Sequence, residues 1–211
     1  MKEYKLPIGC DVPETIILAD GDSPSHPLAL EWLRQCPYVV CCDGAANTYI
    51  RSGRMPEAIV GDGDSLLPDI KERYASLIHS EAEQETNDLS KAFRFCLSQE
   101  RKRITIMGAT GKREDHTIGN VSLLADYMEQ AEVSMMTDYG IFVPIREDSM
   151  FESYIGQQIS VFNMNSTALS AEGLAYPLSV FTNWWQGTLN EALARHFIIR
   201  TEGKVLVFRV F

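Results

Sequence analysis

The sequence predicts a parallel-sheet α/β domain over residues 1–146 followed by a smaller antiparallel β domain over 147–211. Three observations carry this reading. Between residue 15 and about residue 133, short apolar runs (TIILAD, YVVCCD, EAIVGD, RITIMG, VSMMT) alternate with helical patterns, the rhythm of an α/β fold. The connections hold a dozen or more residues and a helix, which favours parallel pairing of the strands they join. After Pro144 the rhythm changes: 158–162, 167–170, 195–200 and 205–210 read as short β pieces separated by Gly, Asn and Pro, as in a small sandwich or barrel.

Each element has its own warrant. TIILAD and YVVCCD are short apolar runs that close on an aspartate, as strands bounded by turn residues do. The segments 28–35, 45–52, 88–97 and 115–128 carry apolar residues three and four apart; Leu89, Ala92, Phe93, Cys96 and Leu97 line one face of the third. No internal repeat or low-complexity tract interrupts the order.

Composition narrows the class. A chain of 211 residues, 45% hydrophobic and 23% charged, buries an ordinary core. A net charge of −10 opposes sequence-independent binding to nucleic acid or to an anionic membrane. MKEYKLPIGCDVPE lacks an apolar signal core, and no run approaches the roughly 18 apolar residues of a membrane span. Five cysteines without a CxxC pair read as reduced thiols, so a cytoplasmic location is expected.

The functional signal lies in where the carboxylates fall. Three predicted strands end in aspartate, at Asp20, Asp43 and Asp62, and Asp64 follows two residues later. Open α/β sheets bind ligands just outside the carboxyl ends of their strands, so these groups gather where a ligand sits. In GDGDS, Asp62 and Asp64 point the same way if the segment is extended, and the glycines admit a close ligand. Magnesium takes one or two protein carboxylates and completes its shell with water and phosphate oxygens, so the pattern suits a metal–polyphosphate ligand. QETNDLSKAF opens a helix with Asp88 and Lys91 on one face. RITIMG runs into GATGKREDHTIGN, a glycine-bearing loop before a helix, where backbone N–H groups hold phosphate and Lys112 and Arg113 add cations. It is neither a Walker A loop nor a GxGxxG fingerprint. His116 has no second His or Cys at ligand spacing and is read as a helix-start residue.

The ordered set ADG, CCDGAAN, VGDGDS, QETNDLSKAF, MGATGKREDHTIGN and EGLAYPL resembles the thiamine pyrophosphokinase family from about Ile16 to Phe197. The resemblance implies an α/β domain followed by a β-sandwich, a homodimer with shared active sites, and magnesium-dependent transfer of pyrophosphate from ATP to the hydroxyl of thiamine, releasing AMP. It places the acidic metal positions on Asp43, Asp62, Asp64 and Asp88. Nucleotide contacts fall on Gln84, Lys91, Thr110, Gly111, Arg113, Asp115 and Asn120, and vitamin contacts on Tyr176, Trp185 and Asn190. Lys91 or Arg113 would meet the charge developing on the bridging oxygens, and Asp43 or Asp64 would accept the hydroxyl proton. Leu189, Asp20, Asn87 and Lys112 depart from the residues usual in the family. Two rivals stand beside this reading. One is a magnesium-dependent phosphatase, because GDGDS superficially resembles the nucleophile motif of haloacid-dehalogenase-like enzymes but lacks its Gly-Thr ending. The other is a non-catalytic nucleotide or vitamin sensor.

Overall fold

The computed structural model describes residues 1–7, 12–81, 83 and 85–211, in two compact units. One unit comprises Gly9–Leu123 and Gln130–Asp138; the other comprises Met1–Ile8, Leu124–Glu129 and Tyr139–Phe211. Strand β1 (Lys2–Tyr4) belongs to the second unit. Among the described residues the first unit holds six strands: β2 (Thr15–Leu18), β3 (Val39–Cys42), β4 (Ala58–Gly61), β5 (Ile78–Ser80), β6 (Arg103–Met107) and β7 (Glu132–Met136). They pair in the order β5-β4-β3-β2-β6-β7, and every pairing is parallel. Sequence order reverses between β2 and β6, the place where open α/β sheets leave a ligand crevice.

The connecting helices are α1 (Pro27–Gln35), α2 (Ala45–Arg51), α3 (Pro68–Arg73), α4 (Asp88–Ser98) and α5 (Glu114–Tyr127). Pro27 starts α1, where its missing N–H costs nothing, and the His26 ring accepts the Leu28 N–H at 3.3 Å. Asn87 caps α4 by accepting the Ser90 N–H at 2.9 Å. The predicted face of α4 is confirmed, since Leu89, Ala92, Phe93 and Cys96 are all buried. The five predicted strands and four predicted helices of this region all form. Strand β5 and helix α3 were not predicted, because three and six residues are too short to show a period.

The second unit is a sandwich. One sheet runs β1, β9 (Ser149–Glu152), β13 (His196–Thr201), β11 (Leu169–Glu172). Facing it, β8 (Gly140–Ile145), β10 (Gln158–Asn163), β12 (Asn190–Glu191) and β14 (Val205–Val210) pair antiparallel in the order β12-β10-β14-β8. Val143, Ile145, Phe151, Ile159, Phe197, Ile199 and Val207 fill the space between. The predicted antiparallel character holds except at β1, which lies parallel to β9 and stacks Tyr4 on Phe151 at 4.8 Å between centroids. Buried Arg209 fastens this corner, donating to the carbonyls of Glu152 at 3.0 Å and Lys5 at 2.9 Å, and burial pushes its guanidinium down to about 10. No helix among the described residues is long and apolar enough to cross a membrane. Cys36, Cys41, Cys42 and Cys96 are free thiols, while Cys10 lies outside the described residues.

Candidate active site

The parallel register of β2, β3 and β4 sets the carboxyl ends of three neighbouring strands at one edge, and the chain leaves each through an aspartate. Asp43 follows β3 with φ of +29°, a conformation that few residues other than glycine tolerate and that marks functional positions. Gly61 and Gly63 turn the loop after β4, so that carboxylate oxygens of Asp43, Asp62 and Asp64 lie within 4.8 Å of one another. Asp43 is only 2% exposed, and the Ser65 N–H donates to its Oδ2 at 3.1 Å while Oδ1 has no hydrogen-bond partner among the described residues. Burial pushes this carboxyl up to about 6; the Ser65 N–H pulls the other way, and Asp64, Asp88 and Asp62 add to the rise. A buried carboxylate with an idle oxygen beside two more hard oxygen donors fits a divalent cation of the magnesium type.

Asp88 opens α4 beside this group: a Cβ on Gly61 would sit 2.8 Å from Asp43 Cβ and 3.4 Å from Asp88 Cγ. Lys91, 3% exposed, donates from Nζ to Asp88 Oδ1 at 3.0 Å, as their spacing predicted. Burial works against the lysine's charge, but Asp88 first, then Asp62 and Glu83, hold its affinity for the proton above the ordinary value. The arrangement is one buried cation against four carboxylates.

Across the cleft, the loop after β6 carries the second set. Gly21 N–H donates to the Gly108 carbonyl at 2.6 Å, and Asp22 N–H to Thr110 at 2.9 Å, so the loops after β2 and β6 are laced together. Lys112 bridges them, donating to Asp20 Oδ1 at 3.2 Å. Arg113 forms a two-pronged pair with Asp115 at 3.0 and 2.5 Å, both side chains exposed. Asn120 reaches back from α5 to the Ala109 carbonyl at 2.9 Å and accepts from Asn87 at 3.1 Å, linking this loop to the start of α4. Asp20, Asp43, Asp62, Asp64, Asp88, Lys91, Gly111, Arg113 and Asn120 together line one cleft of about 480 Å³. His116, left out by the sequence reading, lines it too, as do Thr86 and Asn87. Gln84 lies outside the described residues.

The lacing makes Gly21 sensitive. A Cβ there would overlap the carbonyl oxygens of Gly108 and Thr110, both backbone atoms that cannot swing away. Gly21→Ala should therefore cost about 1–3 kcal/mol, the range for overpacking a tight site, and a urea melt reads that loss as a lower midpoint at unchanged slope.

The sequence-predicted vitamin residues lie on the sandwich unit. Trp184–Gly187 forms a short 3₁₀ helix, and it leaves Trp185 74% exposed. Tyr176 is 64% and Leu189 77% exposed, the latter at φ of +62°, strained for a leucine. Asn190 is buried, and its side chain is spent on Tyr176, donating to its carbonyl at 2.8 Å and accepting its N–H at 3.0 Å. It fixes the bend that carries Tyr176.

A parallel sheet with a cluster of aspartates and a cationic loop at its switch point places hard oxygen donors and phosphate-binding cations where open α/β folds hold their ligands. The description "Thiamin pyrophosphokinase, catalytic domain" matches residues 29–136, just over half of the chain, and "Thiamin pyrophosphokinase, substrate-binding domain" matches residues 140–208. The chain belongs to the thiamin pyrophosphokinase family. It is 30% identical over 129 residues to Thiamine pyrophosphokinase 1 of Oryza sativa subsp. japonica, covering 49% of each chain. It is 34% identical over 86 residues to Thiamine pyrophosphokinase of Bacillus subtilis, covering 39% of this chain and 40% of that one. The matched stretch thus spans at most about half the length of these relatives. In fold it is similar to the Bacillus subtilis thiamine pyrophosphokinase crystal structure (TM-score 0.78, 21% identity, 93% of this chain and 98% of that one). It is likewise similar to thiamin pyrophosphokinase from Candida albicans (TM-score 0.79, 18% identity, 100% and 93%).

Proposed function

We propose that this chain is a thiamine diphosphokinase, moving the pyrophosphoryl group of ATP to the hydroxyl of thiamine and releasing AMP. The observation that carries the reading is the single cleft in which Asp43, Asp62 and Asp64 converge beside a buried Lys91–Asp88 pair, opposite a loop bearing Lys112 and Arg113. Asp43, Asp62 and Asp64 would hold magnesium, with Asp88 beside them. The ion, when bound, supplies charge neutralisation on the phosphate oxygens.

The chain's own residues do the rest. Lys91 Nζ, fixed by Asp88 in a buried setting, offers a positive charge to the bridging oxygen toward the departing AMP. Arg113 grips a phosphate with two parallel N–H donors, exchanging Asp115 for it. The Gly108–Gly111 backbone and Thr110 shape the phosphate loop, and Asn120 braces it from α5. Positioning of this kind is most of what phosphoryl transfer asks of a protein.

Thiamine, a planar cation, is assigned to Tyr176 and Trp185, and stacking on such rings is worth about 0.5–2 kcal/mol. Asn190 holds Tyr176 in place. Those aromatic groups are exposed on a single chain, which supports a homodimer in which the aromatic strip of one subunit meets the acidic cleft of its partner. The division of labour puts nucleotide and metal on the parallel-sheet unit and vitamin on the sandwich unit, in a cytoplasmic enzyme.

Arg113→Ala tests the nucleotide side. Loss of a two-pronged charged contact of about 1.5–3 kcal/mol should raise the KM for ATP at least about tenfold and leave the KM for thiamine near its original value. Steady-state kinetics with each substrate varied decides it, and a rise confined to thiamine would move Arg113 to the other substrate.

A further inference from the structure

Resting on the metal reading above, we propose that Asn47 and Lys71, which lie outside the cleft, are positioning residues that clamp the metal loop and set the strength with which it holds a divalent cation. Residues 61–67 carry Asp62 between Gly61 and Gly63, and Asp64 directly after Gly63, whose φ is +76°. Such a segment has little stiffness of its own. Repulsion among Asp43, Asp62 and Asp64, whose oxygens lie within 4.8 Å of one another, opposes the convergence, so something else must hold the loop in place. Inside the loop the acceptors are themselves the acidic groups: Asp64 N–H donates to Asp62 Oδ1 at 3.2 Å and Ser65 Oγ to Asp64 Oδ1 at 3.0 Å. These bonds follow the carboxylates if the carboxylates move.

The restraint comes from two helices on either side. Asn47, in the middle of α2, uses both ends of its amide: Nδ2 donates to the Ser65 carbonyl at 2.8 Å, and Oδ1 accepts the Leu67 N–H at 3.0 Å. Lys71, on α3, donates from Nζ to the Gly63 carbonyl at 2.9 Å. The three bonds bracket Asp64 on both sides along the chain. The Ser65 peptide is gripped at its carbonyl by Asn47 while its N–H is gripped by Asp43 Oδ2 at 3.1 Å, so the clamp also fixes which oxygen of Asp43 stays idle. Neither Asn47 nor Lys71 lines the cleft, so neither acts by touching substrate. The motif CCDGAAN thus gains a use for its last residue: Asp43 is a ligand, and Asn47, one helical turn on, registers the other two. Side chains that orient metal ligands from behind are worth about 10–100-fold in metal affinity when removed.

The test is binding of Mn2+ alone, followed by electron paramagnetic resonance of the free ion, in the full chain without nucleotide or thiamine. Asn47→Ala should weaken Mn2+ binding at least about tenfold, and Lys71→Met should weaken it by a smaller factor that Lys71→Arg largely restores. In turnover assays the same variants should need more magnesium for half-maximal rate yet recover near-normal kcat at saturating magnesium, a split that general loss of structure does not produce. Should Asn47→Ala fail to fold, the Lys71→Met and Lys71→Arg pair carries the test. Unchanged Mn2+ affinity in the folded clamp variants, with Asp64→Asn losing the ion, overturns the clamp and leaves the metal site standing. Undiminished affinity in Asp64→Asn as well overturns both.

Discussion

Asp64→Asn should lower turnover at least about 100-fold while the protein stays folded, the scale expected when charge stabilisation of a developing anion is removed. The two halves of that expectation come from different features. Asp64 is exposed at the cleft mouth and its side chain accepts one hydrogen bond, from Ser65 Oγ, which an asparagine oxygen replaces. Surface changes of this sort usually stay within about 0.5 kcal/mol, so the thermal midpoint should hardly move. Function is another matter, because Asp64 is one of three carboxylates whose oxygens converge within 4.8 Å. Removing one charge from that set weakens the cation's hold and unbalances the site against the buried Lys91. Circular dichroism and steady-state turnover at several magnesium concentrations measure both halves. Near-normal turnover at saturating magnesium would remove Asp64 from the metal set.

The second large effect is a recovery. Take Asp64→Asn as one inactive parent and a Tyr176→Ala, Trp185→Ala double variant as the other. If each active site joins the acidic cleft of one subunit to the aromatic strip of its partner, random reassortment of an equal mixture makes about half of the dimers mixed, by two-fold pairing. Each mixed dimer has one intact site and one doubly damaged site, so about a quarter of the unaltered activity should return, by the same pairing. Tyr176 and Trp185 are exposed, so their truncation opens no cavity in the sandwich core. Mass labelling reports whether subunits have exchanged. Confirmed exchange without returning activity would place each site within one chain.

Much of the cleft was legible because its signals are local. A parallel strand that ends in aspartate announces a carboxylate at the ligand edge, and the register of β2, β3 and β4 levels Asp20 with Asp43 and sets Asp62 one residue beyond them. The Asp88–Lys91 spacing gave their pairing, and the structure adds that the lysine is buried, which no local pattern contains. Long-range partners were the illegible part. KEY at the amino terminus has no apolar period, yet β1 pairs with β9, nearly 150 residues away. The Asn47 bonds to Ser65 and Leu67 depend on where α2 and the β4 loop meet in space. Asn190 is a vitamin contact only by the resemblance of residues 187–190, and no local pattern shows that its amide accepts the Tyr176 N–H and donates to the Tyr176 carbonyl. Trp185 went the other way: burial is the common fate of tryptophan, and the 3₁₀ turn leaves it out.

The most direct test of the account is the product pattern of the purified 211-residue chain incubated with thiamine, ATP and magnesium, read by phosphorus NMR. Thiamine diphosphate and AMP should appear in equal amounts, depend on magnesium, and vanish when thiamine is withheld. Release of inorganic phosphate independent of thiamine would make the protein a phosphatase, and tight binding of both ligands without any AMP would make it a sensor; either result contradicts pyrophosphoryl transfer in the cleft built on Asp43, Asp62 and Asp64.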